Sequence, residues 1–94
     1  MKNNGFYNLR QQRKKRFEAT VQKQTVIVDY KIEGNTIYLT RVKVPTELEG
    51  QGIGSSMVEQ VLQKIEAKDL KLVPVCPFVK YYIDKKPKWN KLLG

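Results

Sequence analysis

The sequence predicts an α+β (α/β) domain: a mixed, mainly antiparallel sheet with one strand–helix–strand crossover and a short C-terminal helix. Three observations predict it. Residues 16–44 alternate with period two and are rich in β-branched side chains, as half-buried strands are. Ile53, Met57, Val61 and Ile65, with Val58 and Leu62 beside them, form a single apolar stripe, the mark of one amphipathic helix. Between the two lies Leu48-Glu49-Gly50-Gln51-Gly52-Ile53-Gly54-Ser55-Ser56, a glycine-rich turn that opens the helix. A crossover of this kind makes its two strands parallel and is right-handed, so a meander should come first and one parallel strand last.

The elements follow in order. Residues 1–15 lack hydrophobic periodicity and carry no acidic residue. They are expected to be a mobile basic arm with a short helix around Leu9–Lys15, and residues 16–94 the folded domain. Arg16 to Val21 alternates, with Phe17, Ala19 and Val21 on one face. Gln22-Lys23-Gln24 should turn the chain although it lacks glycine. Thr25 to Ile32 is the next strand, and Gly34-Asn35 supplies the positive φ that a two-residue hairpin wants. Thr36 to Val44 is its partner. Strict alternation sends Ile37 and Leu39 one way and Tyr38, Val42 and Val44 the other, with Arg41 and Lys43 on the Ile37 side. Pro45 ends the strand because it cannot donate to the ladder. The main helix should run from Ile53 to Lys68, with Glu59, Gln60, Gln63, Lys64 and Glu66 as its wet face. Leu70 to Val75 is a short strand. Phe78 to Asp84 suits a second helix, with Pro77 in or near its first turn, where its missing N–H costs nothing. Lys85-Lys86-Pro87 stops it, and Trp89, Leu92 and Leu93 fold back as a terminal latch.

Composition bounds the function. The chain has 94 residues, enough for one domain. It has no histidine, which excludes histidine base chemistry and histidine metal ligation. Its one cysteine forms no internal disulfide and leaves no metal site of the zinc kind. No apolar run approaches the ~20 residues of a membrane span, so no membrane partner is expected. A polar, basic start without an apolar stretch predicts no secretory signal, and the expected location is cytoplasmic. The net charge of +9 favours anionic partners such as nucleotide phosphates, nucleic acid or acidic surfaces.

Two stretches carry chemistry. Glycines without Cβ atoms at a helix N-terminus let main-chain N–H groups cradle a phosphate; the same spacing also serves a flexible turn into a core helix. Ligands in such sheets bind beyond the strand C-termini, beside the glycine turn, which places Val44, the glycines and Cys76 around one crevice. Cys76 stands where a helix dipole favours a thiolate; it equally suits a small, space-filling buried residue.

Val44-Pro45, then Gly50-Gln51-Gly52-Ile53-Gly54, then Pro74-Val75-Cys76-Pro77-Phe78-Val79 with Tyr82-Ile83 make an ordered set. With Arg16-Phe17 and Tyr30, it resembles the small, minimal GNAT-like acetyltransferases over about residues 16–93. The resemblance implies a reduced GNAT-like fold, acetyl-CoA as cosubstrate and an N-acetyltransferase that passes acetyl to an amine. Main-chain N–H groups of Gln51, Gly52, Ile53, Gly54 and Ser55 would hold the pyrophosphate, and the strand edge near Val42–Val44 the pantetheine arm. Cys76 would accept acetyl or line the pocket. Tyr82 would be the acid for the leaving thiolate or a core aromatic with a wet hydroxyl. Glu47 and Glu49 are base candidates through water, or solvated loop charges.

Three departures stand out. Glu49 replaces an Arg or Gln of the family pattern. Arg41-Val42 replaces a His-Thr pair, which removes any proton transfer by that histidine. The stretch before Arg16 is longer than the minimal domain needs. Two other functions follow: a CoA-binding module without turnover, and a nucleic-acid-binding domain using Arg10, Arg13, Lys14, Lys15 and Arg16, with Phe6 and Tyr7 available to stack.

Overall fold

The computed structural model describes residues 9–12 and 15–93. Five strands lie in sequence order across one sheet: β1 Arg10–Gln12, β2 Arg16–Val21, β3 Gln24–Glu33, β4 Thr36–Lys43 and β5 Lys71–Pro74. The first four pair antiparallel. Helix α1, Ile53–Ala67, crosses over so that β5 runs parallel to β4. Helix α2, Pro77–Lys85, follows, and a 3₁₀ segment, Pro87–Leu92, ends the fold. No helix of the described residues is long and apolar enough to cross a membrane.

The hairpins form for different local reasons. Between β3 and β4, Gly34 takes φ 62° without Cβ strain. Between β2 and β3, Gln22 and Lys23 take φ 51° and 67°. Positive φ at both central residues is the turn whose twist matches the flanking strands, so strand pairing on either side overrides the local cost at two non-glycine residues.

One expectation fails at the N-terminal side. Residues 10–12 do not join a helix around Leu9–Lys15; they pair with β2, Arg10 opposite Glu18 and Gln12 opposite Arg16. Side chains explain the choice. Gln11 Nε2 donates to the Tyr30 hydroxyl at 2.7 Å, and Lys68 Nζ donates to Gln11 Oε1 at 3.1 Å. The strand is thereby tied to both the sheet and the end of α1. Arg13, Lys14, Phe6 and Tyr7 lie outside the described residues.

A second expectation fails in β4. Leu39 sits opposite Tyr30, but Arg41 sits opposite the preceding residue, Asp29. Thr40 is therefore an extra residue, a β-bulge, and its hydroxyl donates to the Asp29 carbonyl at 3.2 Å. The bulge reverses the alternation. Val42 falls beside Val28 on the core face, with Ile37 and Leu39, while Arg41 and Lys43 turn to the other face.

The core occupies one face of the sheet. Phe17, Val26, Val28, Ile37, Leu39 and Leu72 pack beneath Met57, Val58, Val61, Leu62 and Ile65 of α1 and beneath Val79 and Ile83 of α2. Phe17 and Tyr30 stack with ring centroids 5.0 Å apart. The terminal latch forms: Trp89 and Leu92 are buried, while Leu93 contributes through its backbone, as a bridge to Leu72. The other face carries an ion-pair ladder across four strands. Arg10 pairs with Glu18 at 3.5 Å, Glu18 with Arg16 at 3.8 Å, Arg16 with Asp29 at 3.5 Å and Asp29 with Arg41 at 2.9 Å.

Candidate functional site

The site begins where β4 ends. Pro45 leads into a 3₁₀ turn, Thr46–Leu48, anchored by the buried Leu48. Gly50 and Gly52 then take φ 84° and 75°, conformations that L side chains rarely adopt. Gly52 is the N-cap of α1, and no side chain caps the helix there. The first helical bond shown is from Ser56 N–H to the Gly52 carbonyl, 3.1 Å. The N–H groups of Ile53, Gly54 and Ser55 come before it, at the positive end of the helix dipole.

These groups border a cavity of about 460 Å³, lined by residues 42–44, 48–50 and 52–55 and by Phe78. That volume suits a cofactor-sized ligand. A Cβ at Gly54 would stand 3.2 Å from Phe78 Cζ and 3.4 Å from Val44 Cγ2, so glycine lets the head of α1 pack closely against the end of β4 and the start of α2. Lys43 is the one cation and Glu49 the one acid among the lining residues.

The sheet opens beside the cavity. Pairing of β4 with β5 ends at Leu39 opposite Pro74, and the Cys76 N–H closes the seam on the Leu39 carbonyl at 3.0 Å. Strand β4 runs on to Lys43 with β3 on one side only. Its other backbone edge, residues 40–43, thus faces the opening with hydrogen-bonding groups that need partners.

Of the residues expected to bind a ligand, Val42, Val44, Gly52, Ile53, Gly54 and Ser55 come together around this cavity. Gln51 flanks it. Its side chain accepts from Gln22 Nε2 and donates to the Glu47 carbonyl, both at 3.4 Å, bracing the β2–β3 hairpin tip against the loop. Cys76 is buried, is the N-cap of α2 and is not part of the lining. Tyr82 is also buried and away from the lining. Arg41 is held by Asp29. Phe78, in the first turn of α2, is a further wall of the cavity, and the Pro-Phe-Val run alone does not mark it as one.

The Tyr82 hydroxyl is engaged elsewhere. It donates to Glu59 Oε1 at 2.5 Å, and Trp89 Nε1 donates to the same oxygen at 2.9 Å. Glu59 Oε2 accepts from Gln63 Nε2 at 3.2 Å and pairs with Lys88 Nζ at 3.4 Å. Glu59 is therefore not on a wet face but under the terminal latch. Burial pushes its pKa up, but hydrogen bonds from Tyr82, Trp89 and Gln63, with the Lys88 charge, outweigh burial and hold it at about 2. Burial, then the Glu59 carboxylate, raises the Tyr82 pKa well above the ordinary phenol range. The sequence carried no signal for this cluster, because it joins residues of three separate elements.

A family model described as GCN5-related N-acetyl-transferase matches residues 16–92. Among solved structures, the chain is similar to the solution structure of a GCN5-like putative N-acetyltransferase from Staphylococcus aureus. The two are 23% identical, with a TM-score of 0.70 over 93% of this chain and 89% of the other. At that identity the likeness is one of fold. No curated protein matches the sequence.

Proposed function

The chain belongs to the GCN5-related N-acetyltransferase family, and from that premise we propose that it binds acetyl-CoA in the cavity at the head of α1 and passes the acetyl group to an amine. The observation that carries this reading is the cavity itself: uncapped N–H groups of Ile53, Gly54 and Ser55 on one wall, and the open backbone edge near Val42–Val44 on another. Pyrophosphate oxygens accept from the first, joined by Gln51 and Gly52 of the loop, where the helix dipole favours negative charge. The amides of a pantetheine arm pair with the second, as an added strand would. Bound acetyl-CoA supplies the activated acyl group. The chain's own groups orient it and handle two protons, one leaving the amine and one taken up by the thiolate.

Tyr82 is our candidate acid for the leaving thiolate, water held by Glu47 or Glu49 would take the amine proton, and Cys76 is our candidate acyl acceptor, its thiol exchanging for CoA thiol before the amine displaces it. A second reading, a CoA-binding module without turnover, is favoured by Cys76 and Tyr82: neither lines the cavity, and Tyr82 already donates to Glu59.

Calorimetric titration with acetyl-CoA, followed by intact mass, tests the proposal. One saturable site is expected. No heat up to about 1 mM ligand, the upper end of ordinary substrate affinity, would overturn it. A gain of one acetyl group that disappears in Cys76→Ala supports transfer through the thiol. Binding without the mass gain leaves direct transfer to the amine, which an acceptor assay separates from the non-catalytic module.

A further inference from the structure

We propose that the sheet face left uncovered by the described residues is a docking surface and that its occupant is an acidic polypeptide segment. The face is defined by register: Arg16, Asp29, Arg41 and Lys43 point to it, while Phe17, Val28 and Val42 point to the core. No described side chain on it is buried. A sheet face of this breadth, with no described element packed on it, is a ready contact surface.

Its charge selects the partner. The ladder from Arg10 to Arg41 holds three arginines against Glu18 and Asp29. Lys31 is matched by Glu33 at 3.4 Å. Lys71 of β5 and Lys43 of β4 add charge with no ion pair among the described residues. Cations therefore outnumber carboxylates, and complementary charge gives orientation and on-rate. Val73 is 37% exposed beside the half-buried Tyr38, which gives the face an apolar contact as well.

A polypeptide fits this pattern better than a nucleic acid. The ladder alternates in sign from one side chain to the next, so a run of phosphates would meet Glu18 and Asp29, and Glu33 beside them, whereas side chains of an extended peptide can be matched one by one. Bases need an open aromatic platform, and Tyr38 lies under the Lys31 ammonium, 5.1 Å from its ring centroid. The surface also leads to the site. Lys43 belongs to this face by register yet lines the cavity, so the gap past Leu39 and Pro74 connects the two. An acidic partner docked here would present its amines to that gap. This last link rests on the acetyl-transfer reading; the docking surface does not.

The test is a titration of the isotope-labelled full chain, observed by amide shifts, with a short oligo-glutamate peptide and, separately, an oligothymidylate of equal length. The expected shifts gather on Lys31, Tyr38, Arg41 and Val73. Lys31→Glu combined with Lys71→Glu, both at exposed positions, should weaken peptide binding about tenfold through like-charge contact. Lys80→Glu combined with Lys85→Glu on α2 should change it by no more than about twofold. Shifts centred on α2 or on Gly52–Ser55, equal losses in the two variants, tighter binding of the oligothymidylate, or no binding would each overturn the proposal. Acetyl-CoA calorimetry on the Lys31→Glu/Lys71→Glu variant reads the acetyl-CoA site independently, so failure of one reading is distinguishable from failure of the other.

Discussion

A methyl group at Gly54 would press on Phe78 and Val44 at 3.2 and 3.4 Å. Gly54→Ala gains about 1 kcal/mol of helix propensity and loses about 1–3 kcal/mol to crowding, so it should cost about 0–2 kcal/mol of stability. The same methyl narrows the cavity beside Phe78: acetyl-CoA affinity is expected to fall about tenfold by calorimetry at a temperature where a denaturant melt shows the variant folded. Gly52 differs, because its φ of 75° and not its surroundings demands glycine. Gly52→Ala should cost about 1–2 kcal/mol in a denaturant melt. Glu59 gives a pH prediction. Its carboxyl is held down to about 2 in the fold against an ordinary value of 4.5, so as pH falls the unfolded chain takes up the proton first. The stabilisation is whole above about pH 4.5 and is lost as pH drops towards 2. Glu59→Gln should flatten stability over that window. Glu59→Ala, which strands the Tyr82 and Trp89 donors, should cost about 1–3 kcal/mol at neutral pH.

At the scale of elements, the bulge at Thr40 decides which half of β4 faces the ligand. Residues 42 and 44 reach the cavity only because one unpaired residue precedes them. Deleting Thr40 should restore regular pairing with Leu39 still opposite Tyr30 and Arg41 still opposite Asp29, so that Arg41 and Lys43 stay on the outer face, Val42 stays on the core face and the fold is kept. Circular dichroism melts check this. The bulge also shows where sequence reasoning stopped. The strands of residues 16–44, both helices and the parallel strand were legible from periodicity, Pro45 and Pro77, because those signals are local. The Thr40 bulge and the β1 strand were not. The first depends on the register of a partner strand. The second depends on Gln11 finding Tyr30 and Lys68, residues distant in sequence.

For the molecule as a whole, the glycine loop and its flanking strand edge were readable, since one short stretch supplies both the turn and the helix start. The Glu59 cluster was not, because helix periodicity marks Glu59 as wet and says nothing of a tryptophan that arrives thirty residues later. A domain this small responds strongly to any ligand of its folded state. Acetyl-CoA at a hundred times its Kd should add about 2.7 kcal/mol and raise Tm by on the order of 10 °C; an unmoved Tm would contradict binding at that site. The Glu59 latch has a further consequence in time. The meander β1–β4 is built of neighbours and can pair as soon as it exists, whereas the cavity needs α1 seated by β5 and walled by Phe78 of α2. The clamp on α2 comes later still, with Trp89. Ligand competence is therefore the last property a growing chain acquires: a ribosome-bound chain stopped before Trp89 would carry the glycine loop and a nearly complete sheet, yet hold the Phe78 wall only loosely.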